Sequence, residues 1–244
     1  MLAELLSEAP RFFSSYNLLL FGEALLRTVG LSVIGGAIGV VLGGSLAVLR
    51  MRRLIDIWPL RILAMLYVEI FRRIPFLVKL LCVFFGFQLA GLQAPMFVVA
   101  LTTVSLSATA FAAELVRTGL GSVHANQIDA AEAMNFSRAQ ILFSVMLPQS
   151  WKVMIPPMIG YLIGFIKSTS IASQVGVLEL TYAAKIMNTK GFSAILCFGT
   201  ILILYFMLCY PLSLFGAWAE RRAGRAGRAA APEGALIQAE GAMS

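Results

Sequence analysis

Long uncharged runs alternate with short polar stretches along this chain, and their lengths set the architecture. Residues 29–49, 94–113 and 192–219 contain no Asp, Glu, Lys or Arg. Each supplies the roughly 20 helical residues needed to cross about 30 Å of hydrocarbon. Residues 74–92 and 147–166 are similar in length but interrupted, the first by Lys79 and the second by Pro148, Lys152, Pro156 and Pro157. None of these runs alternates apolar with polar residues as a membrane barrel strand must, so helices are expected. The pattern predicts an all-α integral membrane protein with about five transmembrane helices.

The only sizeable polar helical stretch between spans is residues 117–147, between the third and fourth. Ser137 and Gln140 have the spacing of a capping box, in which the hydroxyl caps a helix and the amide reaches back to the cap. Asn135 just before them tolerates a left-handed conformation and is suited to ending one helix before the next begins. Two short helices with a sharp bend are therefore predicted. An interaction surface is the natural use of such a loop, and a solvated linker is the plain alternative. Residues 54–73 read as an interfacial helix with arginines at the headgroups, leading into a crossing helix kinked at Pro75. In the first span Gly35, Gly39 and Gly43 repeat every four residues, with Gly36 and Gly44 beside them. That spacing predicts a close packing seam against a neighbouring helix or a second subunit.

Composition agrees with a membrane protein: 59% of residues are hydrophobic and 13% charged, against roughly 25% charged in soluble domains. The net charge of +7 suggests nucleic acid until its distribution is considered. Arg50, Arg52, Arg53, Arg61, Arg72 and Arg73 lie between the first two spans. Arg117, Arg138 and Lys152 lie around the loop, and Arg221, Arg222, Arg225 and Arg228 follow the last span. The other side holds only Arg11, Lys185 and Lys190, while Arg27, Lys79 and Lys167 sit near or inside spans. The positive-inside rule puts the amino terminus outside and the loop and carboxyl terminus in the cytoplasm. Residues 1–21 form an external segment without the basic start of a cleaved signal peptide. Residues 22–222 form the transmembrane domain, and 223–244 a disordered cytoplasmic tail. Cys82, Cys197 and Cys209 show no metal-ligand spacing and read as buried small hydrophobes.

Ionisable groups near membrane depth each need a partner or a role. Glu114 and Arg117 are spaced to pair on one helix face, as is Glu69 with Arg72 or Arg73. Lys79, Lys167, Thr169 and Ser170 are candidates for lining a translocation path, with snorkelling to an interface the alternative for Lys167.

Several segments resemble the permease subunits of bacterial ABC importers, in the polar amino acid uptake branch. That family's cytoplasmic loop carries Glu-Ala-Ala, three residues, Gly, nine residues, Ile, any residue and Leu-Pro. Asp129, Ala130, Ala131, Asn135, Val145, Leu147 and Pro148 fall at that spacing. Asp replaces Glu, Asn replaces Gly and Val replaces Ile, each keeping the relevant property. Tyr67-Val68-Glu69-Ile70-Phe71-Arg72 through Pro75, Ala113-Glu114-Leu115-Val116-Arg117, and Lys167 through Ser173 with Gly176-Val177-Leu178-Glu179-Leu180 also match. Ser168 stands where the family has Asp, and Lys79 where it has Gln.

The resemblance covers roughly residues 22–222. It implies a permease of the type I importer fold, resident in the bacterial inner membrane. It also implies that loop 124–148 docks on a separate ABC ATPase subunit, with Asp129 and Glu132 facing that partner's basic residues. A second permease subunit, identical or a sister, would complete the pore, and a periplasmic solute-binding protein would deliver a polar amino acid or a relative such as an opine. No cofactor is implied. The chain lacks a Gly-x-x-x-x-Gly-Lys-Ser/Thr phosphate loop, so energy would have to come from another chain. An ATPase-independent carrier or channel would call for an inverted repeat, which is not evident. A membrane enzyme would call for a catalytic constellation at depth, and the single histidine, His124, falls in the polar loop.

Overall fold

The computed structural model describes residues 2–229, with side chains from Ser7 to Arg222. It contains ten α-helices among the described residues: α1 Leu2–Phe12, α2 Ser15–Arg50, α3 Trp58–Arg73, α4 Phe76–Leu89, α5 Met96–Leu120, α6 Ala125–Ala133, α7 Arg138–Gln140, α8 Leu147–Ser168, α9 Leu180–Thr189 and α10 Ala194–Ala229. A π-helical turn, Ile141–Met146, joins α7 to α8, and a 3₁₀ segment, Thr169–Val175, follows α8. Among the described residues, Ser15–Arg50, Met96–Leu120 and Ala194–Arg222 are long and apolar enough to cross a membrane by length and composition.

The first span starts earlier than the uncharged run suggests. α2 extends back to Ser15 because Glu23 and Arg27, one turn apart, neutralise each other on the same helix at 2.7 Å. At 36 residues α2 is about 54 Å long and overshoots the hydrocarbon. The chain breaks between residues 54–73 and the apolar run that follows them. α3 ends at Arg73, and Pro75, which cannot donate a backbone hydrogen bond, becomes the N-cap of α4. α4 is therefore a short apolar helix of 14 residues. α8 is 22 residues long and carries Lys152 in its second turn and Pro156 and Pro157 within it. The tail expected from residue 223 begins as helix, since α10 continues to Ala229; residues 230–244 lie outside the described residues.

α5 is the central helix. It buries Val104, Ala108 and Ala112 along the face that meets α2. The seam expected from the glycine repeat is formed with this neighbour within the same chain. A Cβ on Gly43 would lie 2.6 Å from the Thr109 carbonyl oxygen and 2.7 Å from Ala112 Cβ. One on Gly39 would collide with Ala108 Cβ, and one on Gly35 would come 2.6 Å from Val104 Cγ1. Gly44, off this face, meets nothing within 4 Å. Three glycines on one stripe thus let two backbones touch where lipid provides no hydrophobic drive for association. Thr28 and Ser32, also buried on α2, satisfy their hydroxyls on backbone carbonyls one turn earlier.

Two buried clusters mark opposite ends of α2. One contains Phe12, Phe21, Ala24, Leu180, Ala183, Met187 and Ile201, and so holds α1 and α9 against α2 and α10. The other contains Ala47, Leu54, Val116, Leu120, Ile128, Ala131, Ile141 and Met146, and ties the polar loop to the bundle. α9 starts on Glu179, a fully buried carboxylate that caps the helix by accepting from Thr181 N at 3.0 Å and Tyr182 N at 2.8 Å. The Tyr205 hydroxyl of α10 donates to the same carboxylate at 2.8 Å. α10 itself is mostly uncovered, with Leu202, Phe206, Met207 and Leu214 exposed along it. Cys197 and Cys209 are buried, but Cys82 is exposed on α4, a correction to the expectation that all three are enclosed. An apolar run in a membrane helix faces lipid or a partner as readily as it faces the core.

Candidate functional site: the helical hairpin at one end of the bundle

His124 N-caps α6, its Nδ1 accepting from Asn126 N at 3.4 Å. α6 places Ile128 and Ala131 inward, where both are buried, and Asp129, Ala130, Glu132 and Ala133 outward, all exposed. The helix stops at Met134, and Asn135 takes the left-handed conformation with φ 61°, the only non-glycine residue with positive φ among those described. Ser137 then starts α7 with a complete capping box: its Oγ accepts from Gln140 N at 3.3 Å, and Gln140 Oε1 accepts from Ser137 N at 2.8 Å. The bend predicted from Asn135, Ser137 and Gln140 is therefore the bend observed. From Ile141 the chain continues helically into α8, with Pro148 in its first turn, where the missing N–H costs nothing. Val145 and Leu147 are half-buried against the same cluster that holds Ile128 and Ala131.

The hairpin is clamped to the segment linking α2 to α3. Arg53 Nη1 and Asp129 Oδ1 are 2.8 Å apart, and Arg138 Nη1 donates to the Leu54 carbonyl at 3.3 Å. Between these contacts runs a groove of about 540 Å³ whose walls include Arg52, Arg53, Asp56, Glu132 and Phe136. Asp129 thus has a basic partner within its own chain. Sequence spacing cannot reveal an ion pair spanning 76 residues.

Beneath the hairpin lies a charge cluster centred on Glu114 of α5. Arg50 Nη1 approaches Glu114 Oε2 to 2.8 Å, Arg72 Nη1 lies 3.7 Å from the same oxygen, and Arg117 Nη2 donates to Oε1. Three helices, α2, α3 and α5, therefore share one carboxylate. Glu69 is held by Arg73 at 2.7 Å, one full turn on, so Arg72 is released to Glu114. Arg72 also lies over the Phe111 ring at 5.9 Å. Arg50 was the unforeseen member, since nothing local marks it among its arginine neighbours.

The four path candidates have different surroundings. Lys79 is 7% exposed, and its Nζ donates to the Phe71 carbonyl at 3.0 Å, closing the last turn of α3 across the Pro75 break. Thr169 is fully buried, donating to the Ile166 carbonyl at 2.7 Å. Ser170 is half-buried and donates to the Lys167 carbonyl at 2.7 Å, while Lys167 itself is exposed. Among the described residues no group of three His, Cys, Asp or Glu could hold a metal ion.

A multi-helix bundle with apolar spans and a polar hairpin at one end defines an all-α membrane-embedded protein. The sequence pattern of the binding-protein-dependent transport system inner membrane components matches residues 39–225, and the chain belongs to that family. It is 31% identical over 207 residues to the "Probable glutamine ABC transporter permease protein GlnM" of Bacillus subtilis (strain 168), covering 84% of this chain and 94% of that one. It is 32% identical over 199 residues to the L-cystine transport system permease protein TcyB of the same organism, covering 81% of this chain and 84% of the relative. A solved structure, described as an amino acid ABC transporter with histidines, superimposes with a TM-score of 0.78 at 27% identity, covering 89% of this chain and 98% of that one. The protein is thus a multi-pass inner-membrane permease subunit with the importer fold.

Proposed function

We propose that this chain forms one half of the membrane pathway of an ATP-driven importer for a polar amino acid or a related small solute. A separate ABC ATPase binds the hairpin 124–148, and ATP is hydrolysed on that partner chain. The amino terminus lies outside and the basic, hairpin-bearing end in the cytoplasm, in keeping with the distribution of arginines. A second permease, identical or a sister chain, completes the pathway, and a periplasmic solute-binding protein presents the solute.

The observation that carries this reading is the two-sidedness of α6. Ile128 and Ala131 anchor it to the ends of the spans, while Asp129, Ala130 and Glu132 present an exposed carboxylate and small-residue face. A push on that face passes into the buried cluster shared with α2, α5 and α8, because close-packed side chains transmit displacement. The small Ala130 and Ala133 side chains let a partner surface come close.

The solute class follows the glutamine and L-cystine relatives. Isolation of the full chain in mild detergent from its native membrane tests the reading. A nucleotide-binding subunit should co-purify, and the reconstituted complex should hydrolyse ATP faster when a loaded binding protein is added. A chain that purifies alone and moves solute without ATP would overturn it. The solute itself is then identified from what the partner binding protein holds.

A further inference from the structure

α8 and α10 lie side by side and leave a groove on each flank. One flank, at the end of the bundle that carries the hairpin, is a groove of about 550 Å³ walled by Trp151 and Lys152 of α8 and by Phe215, Trp218 and Arg222 of α10. The residues from α10 fall at positions i, i+3 and i+7, so they form one stripe. Both cations are exposed, and neither makes an ion pair or hydrogen bond among the described residues. Arg222 lies over the Trp218 ring at 5.3 Å, and Phe215 stacks on the same indole at 5.6 Å. The nearby carboxylate, Glu220, faces away into the other flank with Pro156, Pro157 and Ser213. Among the described residues the basic groove therefore has no acid of its own.

Three features of the groove point to one kind of occupant. Trp at a span end sits at headgroup level. Two cations at that level, with an aromatic floor beneath them, match a phosphate diester above acyl chains. Basic pockets between transmembrane helices bind anionic headgroups in this way. Arg offers a fork to two phosphate oxygens, and its stacking on Trp218 orients that fork; Lys adds a point charge from the facing helix. A soluble anion would use the cations but leave the indoles and Phe215 without a purpose.

We propose that the groove between the start of α8 and the end of α10 is a binding site for an anionic phospholipid, with Lys152 and Arg222 on the phosphate and Trp151, Phe215 and Trp218 along the upper acyl chain. The site does not depend on the identity of the solute or on the ATPase. Its location gives it a consequence, because it joins α8, which continues directly from the hairpin, to α10, which is otherwise little covered. An occupant there bridges the two helices.

The full-length chain with Trp58→Phe retains only Trp151 and Trp218 as indole reporters, both within the groove. It is reconstituted in phosphatidylcholine vesicles containing increasing brominated phosphatidylglycerol or, separately, brominated phosphatidylcholine, and indole quenching is followed. Half-maximal quenching should need a several-fold lower mole fraction of the anionic lipid. Lys152→Gln and Arg222→Gln should each weaken that preference by on the order of fivefold, while the pair Lys152→Arg with Arg222→Lys should retain it, showing that an effect of neutralisation is not misfolding. Equal quenching by the two lipids, or an unchanged preference in the neutralised variants, overturns the proposal. Excess inorganic phosphate should leave the preference intact, and its abolition would assign the site to a soluble anion instead. Loss of the preference on crowding, with disulfide cross-linking between chains bearing Lys152→Cys and Arg222→Cys, would make the groove a seam between copies and equally overturn it.

Discussion

Arg50, the last residue of α2, and Glu114, in the final turns of α5, are 64 residues apart in sequence and 2.8 Å apart in space. The Arg50 side chain is 8% exposed and that of Glu114 20%. The pair closes the α2–α5 seam at the end of the bundle that carries the hairpin, and Arg72 and Arg117 complete the ring around the carboxylate. One acid among three arginines is an unequal arrangement, so the two partners should respond differently to removal.

Glu114→Gln should be more damaging than Arg50→Met, because it strands three clustered guanidinium groups instead of freeing one carboxylate that keeps two partners. A loss of about 3 kcal/mol is expected for Glu114→Gln, the low end of the range for breaking a buried pair from one side. The Arg50→Met/Glu114→Gln double variant should lose less than the sum of the singles. Apparent melting temperatures in detergent, read as a double-mutant cycle, decide this; strict additivity would show that the contact carries no coupling.

The glycine stripe makes a prediction by contrast. Gly39→Ala forces a methyl group into Ala108 and its backbone, which should cost about 1–3 kcal/mol. Gly44→Ala, whose added carbon meets nothing within 4 Å, should be neutral or gain up to about 1 kcal/mol from helix propensity. Thermal aggregation of the detergent-solubilised chains gives the order; similar values for both variants would remove the seam from the account.

Asn135 should accept Gly and reject Val. Its φ of 61° suits glycine freely but costs a β-branched residue about 1–2 kcal/mol or more. Hydrogen exchange of the α6–α7 backbone should stay slow in Asn135→Gly and accelerate in Asn135→Val. ATPase co-purification is expected to follow the same order.

Asp129→Arg separates stability from coupling. The Arg53–Asp129 pair is about half exposed on both sides, so its loss costs only about 0–1 kcal/mol and the chain should insert and fold normally. Uptake should nevertheless fail, because the outward face of α6 changes sign. Normal solute accumulation by this variant would count against the docking role of the hairpin.

Lys79 and Lys167 should differ when each is changed to Met. Lys79 is internally bonded to the end of α3, so Lys79→Met should act chiefly on stability, by about 1–3 kcal/mol from a part-buried carbonyl left without its donor. Lys167 is exposed, and Lys167→Met should leave stability alone. Transport assays with solutes of different charge, set beside melting curves, distinguish the two; a change of solute preference in Lys79→Met without loss of stability would support a place for that residue on the path.

The hairpin was legible in the sequence because its determinants are local. A capping box is a contact between residues three apart, and a left-handed Asn needs only its own dihedral angle. The three long apolar spans were legible for the same kind of reason, since hydrocarbon thickness acts on each segment separately. The glycine repeat announced a seam, although its partner had to await the fold. α2 begins fourteen residues before the uncharged run because Glu23 and Arg27 read singly as polar, whereas on a helix they lie one turn apart and cancel.

Sequence alone determined that this chain lives in a bilayer as helices and carries a bent polar hairpin, because burying backbone in lipid and capping a helix are decided within a few turns. Only the tertiary structure decided that Arg50 and Arg72 converge on Glu114, that Arg53 holds Asp129, that Lys79 closes α3, and that Lys152 and Arg222 share a groove. Coulomb attraction and close packing act through space, and which distant residues they join depends on how the helices lie against one another.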